Sequence, residues 1–175
     1  MVADSDGADR LRIALGSDHE GASLKDKLIG HLREERHSVK DCGLHSADPA
    51  GAAKVVSLVA QVLAKGEADL GIVVSSSGAV ASMAANKIPG VRSCHCQDTF
   101  SARQARRTAA ADMLCLGARV LGDDLAAEIA DAFVGEAPSD DQRHELLRRG
   151  IRELEEGFEA HRTAALQAQA SESDG

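Results

Sequence analysis

Two rhythms of apolar residues alternate along this chain. Short apolar runs, each ending in small or polar residues, are followed by stretches with helical spacing. Leu11 to Leu15 is the first run and ends in Gly16-Ser17-Asp18-His19. Leu24, Leu28, Ile29 and Leu32 then recur among charged residues at the spacing of one helix face. Ser38 to Gly43 reads as a short second strand. Asp48-Pro49 opens a second helix with Val55, Val56, Leu58, Val59, Val62 and Leu63 as its apolar positions, and Gly66 closes it. Leu70-Gly71-Ile72-Val73-Val74 lacks polar alternation, as expected of a parallel strand buried on both faces. A small-residue helix through Asn86 follows, then a strand from Val91 to Cys96 and a helix capped by Asp98-Thr99 and reaching about Arg107. Met113 to Leu116 is the fifth strand. Helices over 121–134 and about 139–161 complete the pattern.

This order predicts an α/β fold: a Rossmann-like, doubly wound, five-stranded parallel sheet with helices on both faces, in three α/β/α layers. Residues 1–10 are expected to form a flexible tail, 11–162 a single domain, and 163–175 a disordered C-terminal tail. In such sheets ligands bind outside the carboxyl ends of the strands, where the strand order reverses.

Composition narrows the function. The 175 residues suit one domain, and 43% are hydrophobic, enough for a real core. Aromatics are only 2%, all three of them Phe, so base stacking on aromatic platforms is effectively excluded. A net charge of −8 disfavours nucleic acid and anionic membranes as partners, and neither is expected. Cys42, Cys94, Cys96 and Cys115 form no CxxC pair and read as buried free thiols. Neither a signal peptide nor a membrane-spanning run is evident, so a cytoplasmic location is expected.

Four groups of polar residues fall at strand ends or on the last helix. Ser17-Asp18-His19 follows the first strand, where Asp18 and His19 suit sugar hydroxyls; a helix N-cap is the plainer alternative. Ser75-Ser76-Ser77-Gly78 leads into a helix and offers hydroxyls and backbone N–H groups to an anion, or is simply a polar turn. Arg119 follows the fifth strand, and Arg143-His144 lies on the last helix. Two Arg and a His would make a phosphate clamp if the fold brings them together.

Taken in order, several stretches resemble the ribose-5-phosphate isomerase B family, which includes the galactose-6-phosphate isomerase subunits. They are Arg12 to His19, Gly66 to Asp69 with Gly71-Ile72, Ala84 to Lys87 with Gly90 to Arg92, Asp98 to Arg103, Leu116 to Val120, and Arg143-His144. The resemblance covers roughly residues 11–150. It implies a cofactor-free, metal-independent aldose–ketose isomerase acting on a small phosphorylated sugar through an enediolate. It also implies a homodimer or dimer of dimers, each site being built from both subunits. Carried over position by position, Asp18, His19, Ser75 and Ser77 take the catalytic places. Gly78, Arg119, Arg143 and His144 take the substrate- and phosphate-binding ones. A further phosphate Arg falls on Leu147, with Arg148 beside it as the substitute.

The chain departs from the family on the proton-transfer side. The usual Cys base is Ser75, a Glu used by some members is Ala81, and the ring-opening His and its Asn neighbour are Thr108 and Ala109. The Gly-Thr/Ser-Gly-x-Gly loop reads Ser76-Ser77-Gly78-Ala79-Val80, and the Tyr-Pro pair is missing near Ala52 and Ala53. Turnover then requires Asp18, His19 or His95 to move protons. The alternative is a catalytically degenerate sugar-phosphate binder, or one subunit of a hetero-oligomeric isomerase.

Overall fold

The computed structural model describes residues 10–43 and 51–173. The elements run β1 (Arg12–Ser17), α1 (Ala22–Glu34), β2 (Ser38–Asp41), α2 (Gly51–Ala64), β3 (Leu70–Ser75) and α3 (Ala79–Ala85). There follow β4 (Ser93–His95), α4 (Thr99–Ala109), β5 (Met113–Gly117), α5 (Asp123–Val134) and α6 (Gln142–Ser173). The expected sequence of elements is present. The Asp48-Pro49 helix start lies outside the described residues.

All strands are parallel, in the order β2-β1-β3-β5-β4. The chain therefore winds outward through β1 and β2, crosses back to β3 on the other side of β1, skips to the far edge at β4, and returns to insert β5. The β1–β3 boundary is a switch point. Right-handed crossovers require the connecting helix to change face whenever the winding direction reverses. Accordingly α1, α4 and α5 share one face and α2 and α3 the other, which yields two cores. One contains Leu28 and Leu32 of α1 with Ile13, Ile72, Leu114 and Phe133. The other packs Val55, Val56 and Val59 of α2 with Ala14, Val73, Met113 and Cys115.

The central β3 is buried at all six positions, which explains its unbroken apolar sequence. The edge strand β4 is shorter than the expected 91–96. Its flank is used elsewhere: Arg92 N–H donates to Asp112 Oδ1 (2.9 Å), and Arg92 O accepts from Asp112 N–H (3.0 Å). At α4 the expected cap is present, with Asp98 Oδ1 accepting from Ser101 N–H at 2.7 Å.

The largest departure is α6. It was expected to end near His161 and runs instead to Ser173, so residues 163–173 are helix rather than disordered tail. The segment Ala-Ala-Leu-Gln-Ala-Gln-Ala consists of good helix formers and carries no Gly or Pro to stop it. At 32 residues the helix is about 48 Å long. It packs on α4, and Leu147, Ile151, Leu154 and Phe158 stay exposed along one side. No described helix is long and apolar enough to cross a membrane.

Candidate active site

The loops after β1, β3 and β5 meet at the switch point and are tied together through their backbones. Asp18 N–H donates to Val74 O (3.2 Å), Ala118 N–H to Ser75 O (2.8 Å) and Arg119 N–H to Ser76 O (2.9 Å). Bare Cα atoms allow this proximity. A Cβ on Gly117 would lie 2.7 Å from Ser77 O, and one on Gly51 would lie 2.7 Å from Asp18 Cβ.

Asp18 is half-buried and braces its own loop, Oδ1 accepting from Gly21 N–H at 3.0 Å. It precedes the helix rather than capping it, because α1 begins at Ala22 with Gly21 in the cap position. His19 is half exposed at the mouth of the site. Glu20, which the sequence did not single out, joins two of the loops: its Oε2 lies 3.1 Å from Arg119 Nε. The pair is not aligned as a hydrogen bond, which leaves that buried oxygen unbonded.

Ser75 is buried at the end of β3, and its Oγ accepts from Gly78 N–H at 3.1 Å. Ser77 is exposed at the top of the loop. Gly78 takes φ +80°, the left-handed conformation natural to glycine, just before α3. Its Cα faces the ring of His95, from the end of β4: a Cβ there would stand 2.7 Å from His95 Cδ2 and 2.9 Å from Nε2. His95 Nε2 is buried with no hydrogen-bond partner among the described residues.

The other predicted phosphate ligands lie elsewhere. α4 leaves the carboxyl end of β4 and returns to the amino end of β5, so its last residues mark the amino edge of the sheet. α6 starts there, where Ser139 N–H donates to Arg107 O at 3.0 Å. Arg143 is 85% exposed and pairs with Asp141 (3.1 Å), whose carboxyl the guanidinium holds below its usual range. His144 is half-buried with an unbonded Nδ1. Arg148 is only 11% exposed and bonds within its own chain, to Ser139 O (2.9 Å), Glu145 (3.0 Å) and Thr108 O (3.4 Å). One chain thus brings together Asp18, His19, Ser75, Ser77, Gly78 and Arg119, and holds Arg143, His144 and Arg148 at the opposite edge.

The described cysteines are all free; Cys96 and Cys115 are buried, while Cys42 and Cys94 are only half-buried. Burial pushes the Cys115 thiol up to about 12, which keeps it protonated. Contact with Cys96, together with burial, raises Cys94 as well. A cavity of about 650 Å³ lies under α6 at the amino edge, lined by Pro89, Val91, Cys94, Ile151, Leu154 and Phe158 among others, and is remote from the loops described above.

Comparison with known proteins shows what the chain is similar to. The Ribose/Galactose Isomerase family model matches residues 13–149. Ribose-5-phosphate isomerase B of Escherichia coli K12 is 36% identical over 145 residues, covering 83% of this chain and 97% of that protein. D-erythrulose-4-phosphate isomerase of Pectobacterium atrosepticum is also 36% identical, over 71% of this chain and 82% of its own length. The solved structure of Clostridium thermocellum ribose-5-phosphate isomerase B superposes with a TM-score of 0.80 at 35% identity, over 85% of this chain and 99% of the other.

Proposed function

The chain belongs to the ribose/galactose isomerase family, and from that premise we propose that it is a cytoplasmic aldose–ketose isomerase working on a small phosphorylated sugar at the β1–β3 switch point. The isomerase activity is of the ribose-5-phosphate isomerase B type, the type of its relatives in sequence and structure. The observation that carries the assignment of the site is the convergence of Asp18, the Ser75–Gly78 loop and Arg119 at the carboxyl ends of β1, β3 and β5, held by main-chain bonds between those strand ends.

In this reading Asp18 and His19 hold the sugar's hydroxyl end and Arg119 attracts its phosphate. The N–H groups of the loop face the oxygen that becomes negative in the enediolate. Grip on the distant phosphate helps orient the reacting carbons. Arg143 and His144 complete the phosphate site from a second copy of the chain. Their placement at the amino edge supports this, since they are out of reach of the loops in their own chain. The exposed Leu147, Ile151, Leu154 and Phe158 on α6 supply an apolar face for that pairing.

The test is a coupled assay for aldose-to-ketose conversion across tetrose, pentose and hexose phosphates. Turnover of at least one above background is expected. Binding of these sugars without any turnover would establish the second reading, a non-catalytic sugar-phosphate binder, which the loss of the usual thiol at Ser75 favours.

A further inference from the structure

An isomerase of this kind needs a group that takes a proton from carbon and gives it back. On the β3 loop that group is missing: Ser75 is a hydroxyl with an intrinsically high pKa, and Ala81 carries no acid or base. The thiol of Cys115 does not replace it. Cys115 is buried among Val73, Met113 and the α2–α3 residues and is held protonated.

His95 is placed differently. Its Cα pairs with Cys115 on β5, and Ser75 lies two residues after Val73 on β3. Cys115 and Val73 both face the α2–α3 core. Side chains alternate along a strand and stay level across it, so Ser75 and His95 project on this same face. Gly78 lies between them, donating its N–H to Ser75 Oγ and presenting its bare Cα to the imidazole. Any side chain at 78 would drive the ring out. A buried, unbonded Nε2 costs free energy in the resting protein and calls for an explanation in the working one.

Resting on the isomerase reading above, we propose that His95 is the catalytic acid–base residue of this site, standing in from β4 for the base that β3 lacks. The sugar lies on the N–H groups of Ser76 and Ser77, with its reacting carbons beside Gly78, whose own N–H is held by Ser75 Oγ. In the open-chain aldose the C2–H bond breaks and Nε2 takes the proton. The bonding pair forms C1=C2, and the C1 carbonyl oxygen becomes the enediolate oxygen. Nε2 then returns the proton to C1, while the C2 hydroxyl passes its own proton to O1 and becomes the ketone. An imidazole nitrogen can both accept and return a proton, which suits both half-steps.

The experiment follows deuterium incorporation from D2O into ribose 5-phosphate, or whichever sugar phosphate the wild type turns over, alongside calorimetric binding of the same sugar. In His95→Gln, exchange is expected to fall by about 10²–10⁴-fold, with the dissociation constant nearly unchanged. His95→Leu, which removes the unbonded nitrogen altogether, is expected to lose exchange while unfolding at the same or a higher temperature. Exchange in His95→Gln within tenfold of wild type, or exchange and binding lost together, overturns the role of His95 and leaves the isomerase reading standing. A wild type that binds sugar phosphate but exchanges no deuterium with any member of the panel overturns the isomerase reading, and the role of His95 with it.

Discussion

Glu20 Oε2 sits 3.1 Å from Arg119 Nε, bridging the loop after β1 to the loop after β5. The arginine is 73% exposed, so the pair adds little to stability. It does place a carboxylate where a phosphate would bind. Glu20→Gln should therefore tighten binding of inorganic phosphate and of sugar phosphates in calorimetry, with the melting temperature within a degree or so of wild type. Arg119→Ala should weaken the same binding. Unchanged affinity in both variants would remove Arg119 from the site.

Arg143 and Arg148 lie on one helix and should behave oppositely. Arg143 is 85% exposed, and its loss should leave urea unfolding unchanged while weakening sugar-phosphate affinity. Arg148 fastens the start of α6 to Ser139 and Thr108, and its truncation strands half-buried carbonyls. Arg148→Ala should cost about 1.5–3 kcal/mol of stability in urea titration.

The α6 face should control association. Leu154 and Phe158 are 65% and 74% exposed in the single chain. Leu154→Asp should shift sedimentation from a dimer or larger assembly to monomer and abolish turnover, while the circular dichroism of the fold persists. An unchanged sedimentation coefficient would mean that α6 is not the pairing surface.

Acid should weaken the junction of β1 with the loop before β3. Asp69 accepts from Arg12 through side chain (2.6 Å) and backbone (2.8 Å), and these bonds hold its carboxyl below the usual range. With the folded value depressed, the stabilisation is present above the ordinary carboxylate pKa of about 4 and disappears as pH falls through the folded value. The wild-type urea midpoint should thus fall on acidification below about pH 4. Asp69→Asn should start lower and show a shallower fall.

Much of the architecture was legible because the local signals agreed. Leu70 to Val74 could only be a strand buried on both faces, and Asp98 both looked like a cap and is one. The insertion of β5 between β3 and β4 was not legible, since the direction of a crossover is decided by tertiary packing. The end of α6 was placed too early because a chain end was taken for a tail, although Ala, Leu and Gln favour helix. At the site, Asp18, Ser75 and Arg119 were readable as strand-end residues. Glu20 was not, because its partner Arg119 is remote in sequence and an acidic residue opening a helix has an ordinary explanation. Arg148 was read as a ligand from its place beside Leu147, and nothing local revealed the carbonyls it meets. His95 could be noticed as an imidazole at a strand end, but its contact with Gly78 depends on the strand order.

On the proposed sharing of the site, the opposite placement of the switch-point loops and the α6 arginine would make catalytic capacity a matter of mass action. If each pocket is finished by a neighbour, an isolated chain is half an enzyme. Specific activity would then fall on dilution instead of staying constant, with the number of working sites following the square of the free chain concentration. Mixing a chain damaged in the loops with one damaged at Arg143 would restore one intact pocket per mixed pair, and activity would reappear from two inactive preparations.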